Sequence, residues 1–209
     1  MEKSPFTDVT ELRRRARQHI EKGAVTDGYR ADRAKVLELL DAALATEIVC
    51  VLRYKRHYFM AQGRSSKEVA AEFLEHAQEE QEHADRIAER ITQLGGAPNL
   101  NPEGMVRRSH TEYVEGNTLH EMVKEDLVAE RIAVESYGEF IRYLGDKDPT
   151  TRRLLEEILA KEEEHAEDLL NLVAHMVPLP SPDAPIADKS TSGSHVERAG
   201  ATMLSARRS

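Results

Sequence analysis

With 209 residues, 32% of them charged and 5% aromatic, the chain can hold one domain with a sizeable core, and its residue balance favours long helices over sheets. A formal charge of −9 argues against wholesale binding of nucleic acid or membrane. The single cysteine, Cys50, rules out an intrachain disulfide and any four-cysteine metal site.

Thr7-Asp8 is placed to cap a short first helix running to about Lys22, and Gly23–Gly28 reads as a linker. The first long helix is expected from about Asp32 to Ala61, stopping at Gln62-Gly63. Ser65-Ser66 is expected to cap the second, with Glu68 and Val69 in a capping-like arrangement, and Gly95-Gly96 to end it. Residues 97–117, with two prolines and three asparagines, read as a long crossover with a short helix near Glu103–His110. The third long helix is expected from about Thr118 to Leu144, and the fourth from Asp148-Pro149 to about Met176. This divides the chain into an N-terminal helix and linker (1–30), a helical bundle (31–177) and a tail (178–209) rich in Pro, Ser, Gly and Thr, read as flexible or as a docked arm. Met1–Val9 is polar, without the apolar centre of a signal peptide, and no apolar run approaches the ~20 residues that span a bilayer, so the expected setting is the cytoplasm.

Each long helix carries a core stripe at steps of three and four. The first reads Val36, Leu40, Ala43, Glu47, Val51, Tyr54, Tyr58, and the second Val69, Phe73, His76, Glu80, His83, Ile87, Ile91, Leu94. The third reads Leu119, Val123, Asp126, Glu130, Ala133, Tyr137, Ile141, Leu144, and the fourth Leu155, Ile158, Glu162, His165, Leu169, Leu172, Met176. The stripes are apolar at both ends and polar at the centre. Folding the hairpins at Gly63 and near Lys147 brings Glu47, Glu80, Glu130 and Glu162 within about one helical turn of a common level. Four carboxylates cannot be buried together uncompensated. Two histidines do not neutralise them, and no Lys or Arg lies in the stripes near that level, whereas divalent metal ions would.

The halves also repeat. Glu47 precedes Glu80-Gln81-Glu82-His83 by 33 residues, and Glu130 precedes Glu162-Glu163-Glu164-His165 by 32. Each lone Glu is followed seven residues later by a tyrosine, Tyr54 or Tyr137. One Glu from each of two helices plus Glu-x-x-His from each of the other two is the pattern of di-iron and di-manganese carboxylate sites, and the i, i+3 spacing lets Glu and His reach one ion.

Several segments carry a family resemblance over about Arg33 to Met176: Leu44-Ala-Thr-Glu-Ile48, Glu80-Gln-Glu-His-Ala-Asp-Arg86, Gln93-Leu-Gly-Gly96, Asp126-Leu-Val-Ala-Glu130 and Glu162-Glu-Glu-His165. They resemble the bacterioferritin and Dps-like branch of the ferritin-like superfamily. The resemblance implies an all-α, antiparallel ferritin-like four-helix bundle with a long crossover, here with an extra short N-terminal helix. It implies a ferroxidase that takes two iron ions per subunit and oxidises Fe(II) with peroxide or dioxygen, storing and detoxifying iron in an oligomeric shell under oxidative stress. Glu47 and Glu130 would be terminal ligands, Glu80 and Glu162 bridges, and His83 and His165 nitrogen ligands. Where bacterioferritins place a haem-binding Met, directly after the helix ligand Glu, this chain has Gln81, so no haem is expected. Pro178, Pro180, Pro182 and Pro185 occupy the region of the bacterioferritin fifth helix, which favours a dodecamer over a 24-subunit cage. Dps-like members with this site often carry a cysteine pair nearby, and this chain has none.

Other residues leave room for more than one reading. Asp126 either fixes a ligand histidine or is a core Asp with its own hydrogen bonds. Tyr54 and Tyr137 read as neighbours of the ligands, either bonding bridging carboxylates or giving an electron, with ordinary core tyrosines whose hydroxyls are satisfied as the plainer alternative to a redox role. His76 reads first as a core residue and second as a ligand, His57 as outward-facing and Cys50 as a small buried residue. Arg13, Arg14, Arg15, Arg17, Lys22 and Arg207-Arg208 form basic ends that fit docking on an acidic neighbouring subunit better than DNA. The competing functions are another di-metal redox enzyme, manganese catalase-like or a small oxygenase, and a DNA-protecting Dps-like protein.

Overall fold

A computed structural model of the chain describes residues 6–61, 63 and 66–176. The described residues form six α-helices and no strand: α1 Val9–Arg15, α2 Arg33–Met60, α3 Lys67–Gln93, α4 Met105–Arg108, α5 Leu119–Leu144 and α6 Pro149–Met176. Helices α2 and α3 pack as one antiparallel hairpin and α5 and α6 as another, with α2 against α5, α3 against α6, and α4 of the crossover against α2.

Local chemistry sets most ends. Asp32 caps α2, its carboxylate accepting from Ala34 N at 3.1 Å and Lys35 N at 3.2 Å. Thr118 and Glu121 form a reciprocal capping box on α5. At the end of α3, Gly95 takes φ +73, a conformation that L side chains rarely adopt. A Cβ on the neighbouring Gly96 would lie 2.6 Å from Leu37 Cδ2 and 2.9 Å from Ile91 Cγ2, so only glycine lets the chain leave α3 this close to α2.

Two expectations are corrected. The first helix ends at Arg15, and a separate 3-10 turn covers Ile20–Lys22. Its seven residues bury none of their number; the Asp8 cap and the Glu11 pairs with Arg14 and Arg15 are local contacts, and so short a helix does not propagate alone. Ser66 makes no side-chain cap on α3; its backbone sits at φ −120, ψ 11, and its hydroxyl turns back to the Gly63 carbonyl. Ser65 and the whole tail with Arg207-Arg208 lie outside the described residues.

Asp148 ties one end of the bundle together. It accepts from Thr151 N at 2.9 Å at the start of α6, from the Tyr29 hydroxyl at 2.9 Å and from Arg90 of α3 at 3.1 Å. Burial would raise its carboxyl pKa, but Thr151, Tyr29 and Arg90 outweigh burial and hold it low. Its contribution is therefore present above the ordinary carboxylate range and lost as pH falls through the lowered value. Asp148→Ala is expected to cost about 2 kcal/mol in urea unfolding near neutral pH, with a smaller difference in acid.

The core has two apolar layers. One holds Val36, Leu40, Leu44, Ile87, Ile91, Phe140, Leu144, Leu155 and Ile158, and the other Phe73, Ala77, Met122, Val123, Ala129 and Leu169. Each large side chain in them adds about 1.5–3 kcal/mol. That burial offsets the cost of the polar layer held between them.

Candidate metal centre

The polar layer comes from the middle of all four long helices. Glu47 of α2, Glu80 and His83 of α3, Glu130 of α5, and Glu162 and His165 of α6 are all at most 5% exposed. They form two overlapping groups: Glu47, Glu80, His83 and Glu162, and Glu80, Glu130, Glu162 and His165. Within each group one ligand atom per residue lies within 4.8 Å of the others. Glu80 and Glu162 belong to both groups, and the other four residues to one each. His83 Nδ1 is 2.9 Å from Glu162 Oε1 and 3.4 Å from carboxylate oxygens of Glu47 and Glu80. His165 Nδ1 is 3.3 Å from Glu80 Oε1.

These contacts lack the alignment of hydrogen bonds. Nine buried side-chain N and O atoms among the described residues have no hydrogen-bond partner, and seven belong to this layer: Glu47 Oε2, Glu80 Oε1, His83 Nδ1, Glu130 Oε2, both Glu162 oxygens and His165 Nδ1. Buried polar atoms are otherwise satisfied almost without exception. Here they crowd together at the ion-pair distances just given without hydrogen-bond alignment, around space that two cations could share.

The opposite atom of several of these groups is anchored. The Tyr54 hydroxyl donates to Glu130 Oε1, and the Tyr137 hydroxyl to Glu47 Oε1. Each bond leaves the Oε2 of its carboxylate free. His165 Nε2 bonds Glu79 Oε2 at 2.7 Å, leaving Nδ1 turned inward, and Lys161 holds Glu79 at 3.2 Å. Ligand orientation by such outer contacts is the rule in metal sites. The tyrosines thus stand beside the ligands as expected, but on Glu130 and Glu47 and not on the shared Glu80 and Glu162, the carboxylates expected to bridge. Glu79 was missed, because beside Glu80 it reads as an ordinary exposed helix charge.

Without cations the layer keeps protons. Burial pushes the Glu47 carboxyl up to about 8, helped by Glu80 beside it. Burial, then Glu80 and Glu162, push Glu130 well above the carboxylate range. Burial would also raise Glu80 and Glu162, with the Glu162 charge adding to it at Glu80 and the Glu47 charge at Glu162, but close polar contacts hold both low: from Glu47, His165 and His83 at Glu80, and from His165, His83 and Glu130 at Glu162. Burial alone would lower the two imidazoles; the surrounding carboxylates instead raise His83 to about 12 and His165 to about 11.

Beyond one end of this layer lies a second polar cluster. Asp126 is fully buried and accepts from Arg53 Nε and from His57 Nδ1, each at 2.7 Å. It contacts no histidine of the central layer, so it does not set a ligand tautomer. His57 is buried too, not outward-facing, because its Nε2 meets the Glu115 carbonyl at 2.9 Å. Arg53 likewise bonds the Glu112 carbonyl, so the pair pins the crossover to α2. His76 is 2% exposed, bonds Tyr54 and stacks on His165 with ring centroids 4.0 Å apart. Cys50 is buried, as expected.

The model of the ferritin-like domain family matches residues 37–176. The chain belongs to the ferritin-like domain family. Among curated relatives, a bacterioferritin of Desulfovibrio desulfuricans is 32% identical over 151 residues, covering 71% of this chain and 80% of that protein. A bacterioferritin of Brucella melitensis is 34% identical, covering 65% and 80%. Among solved structures, a dodecameric thioferritin from Bacteroides fragilis matches this ferritin-like chain with TM-score 0.67 and 31% identity, over 70% of this chain and 88% of that one. The D. desulfuricans bacterioferritin, whose diiron site has been solved in different catalytic states, matches with TM-score 0.61 and 28% identity, over 68% and 80%. Among the described residues no helix is long and apolar enough to cross a membrane.

Proposed function

We infer that this ferritin-like chain is a ferroxidase whose central layer takes two Fe(II) and delivers both electrons to one oxidant, the ferric product being stored. The observation that carries this reading is the set of seven unpartnered donor atoms divided into two groups that share Glu80 and Glu162. Sharing two carboxylates puts the two ions side by side. With peroxide, two Fe(II) and two protons give two Fe(III) and two waters; with dioxygen, the reduced product is peroxide. Fe(II) supplies the electrons, carboxylate oxygens suit Fe(III), and the imidazoles suit Fe(II).

The protein's own part is positional. Glu47 and Glu130 are terminal ligands, held by Tyr137 and Tyr54 with one oxygen left for iron. Glu80 and Glu162 bridge, and His83 and His165 each supply Nδ1. The apolar layers keep bulk water from the reacting ions.

The reading extends to a homo-oligomeric shell in the cytoplasm, a dodecamer in preference to a 24-subunit cage; its support is the likeness to the dodecameric thioferritin. Haem is not part of it. Gln81 stands where the haem Met would be, and its amide donates to Asp85 at 3.0 Å. DNA is the less favoured partner: of the basic residues at the N-terminal helix, Arg14 and Arg15 are paired with Glu11.

Anaerobic binding tests the assignment. Ligand atoms must shed protons before they bind metal, so loading two Fe(II) per chain near pH 7 is expected to release protons, with affinity falling as pH is lowered. Titration in weak buffer with a pH indicator measures this. Two ions bound with no proton release would place them elsewhere.

A further inference from the structure

A third group of ligand atoms lies just outside the central layer. Glu72 and His76 stand one turn apart on α3, and Asp168 faces them from α6. One ligand atom from each lies within 4.8 Å of the others. The two carboxylates are half-buried, and the imidazole is 2% exposed.

The hydrogen bonds around His76 fix what it offers. The single hydroxyl hydrogen of Tyr54 is given to Glu130, so Tyr54 can only accept from His76. The His76 ring therefore carries hydrogen on Nδ1, 3.2 Å from the Tyr54 oxygen. In a neutral ring this leaves the lone pair on Nε2, which points to Glu72 Oε1 at 3.3 Å without the alignment of a hydrogen bond. A nearly buried lone pair thus faces two carboxylates, acceptor against acceptors. Among the described residues no Lys or Arg pairs with Glu72 or Asp168. The nearby Lys161 is held by Glu79 at 3.2 Å and Glu164 at 2.8 Å.

We propose that Glu72, His76 and Asp168 form a third site for a divalent first-row transition-metal ion, on the surface side of the central pair. One imidazole nitrogen and two carboxylates, with open positions for water, suit Fe(II), Co(II) or Zn(II) better than Mg(II), which seldom takes nitrogen. The site joins the centre through stacking of His76 on His165 and through the chain His76–Tyr54–Glu130. That its physiological occupant is Fe(II) rests on the ferroxidase reading; the site itself does not.

Crystals of the full chain loaded with Co(II) alone test it by anomalous scattering, with equilibrium dialysis for stoichiometry. Three Co(II) per chain are expected, the third among Glu72, His76 and Asp168. Asp168→Asn should remove the third and keep the central two, its affinity at the third position falling at least about tenfold. Glu72→Gln should do the same and guards against an effect peculiar to one variant. Co(II) only at the central pair in the unaltered chain, or a third ion undiminished in both variants, overturns the proposal while leaving the ferroxidase reading standing. A third ion without the central two would support this site and remove the ferroxidase reading instead.

Discussion

Glu80→Ala is expected to lower the rate of Fe(II) oxidation by at least about 100-fold, because the loss of one shared ligand weakens both ion positions at once. Glu80 stands in both ligand groups, while Glu47 and Glu130 each stand in one. Removing Glu47 should therefore disturb one ion more than the other, and removing Glu80 should disturb both. Stopped-flow absorbance of ferric product, with two Fe(II) per chain, reads the rate; a thermal melt of the metal-free variant checks folding. A Glu80→Ala protein that folds and oxidises iron within threefold of the unaltered rate would contradict the shared-ligand assignment.

Asp126→Ala is expected to cost about 3–5 kcal/mol, the usual penalty for leaving a buried charge without its partner. Arg53 is 1% exposed, and Asp126 is the carboxylate it pairs with, at 2.7 Å. His57 loses its Nδ1 acceptor in the same variant. The combined change Arg53→Met with Asp126→Leu removes both charges and should regain much of the loss, because apolar replacements of matched size avoid the desolvation cost. Chemical denaturation midpoints decide the matter. A loss under about 1 kcal/mol for Asp126→Ala would mean that the pair is not isolated from water.

What the sequence made legible, and what it did not, divides along physical lines. The ends of the long helices were readable because their causes are local: Asp32, Thr118, Gly95 and Pro149 act on neighbours a few residues away. The convergence of six residues was readable because helical periodicity and the distance to each turn fix both face and level. Arg53, His57 and Glu79 were not readable. Arg53 and His57 lie beside the stripe, and their burial depends on carbonyls of Glu112 and Glu115, supplied by an irregular crossover that no period describes. The one available signal was Asp126, a core carboxylate at a level with no metal ligand, which required a cationic partner. Glu79 acts through a contact between α3 and α6, and its neighbours in sequence do not announce it. The first helix was read too long for a similar reason: good helix formers continue past Arg15, but no apolar face is buried to hold them.

The ferroxidase account is tested most directly by loading the full chain with two Fe(II) per subunit without oxygen, adding a pulse of peroxide or dioxygen, and following ferric absorbance. The account predicts a fast rise that consumes both Fe(II) together, absent in Glu80→Ala. Two tightly bound Fe(II) that stay ferrous after the pulse would contradict it.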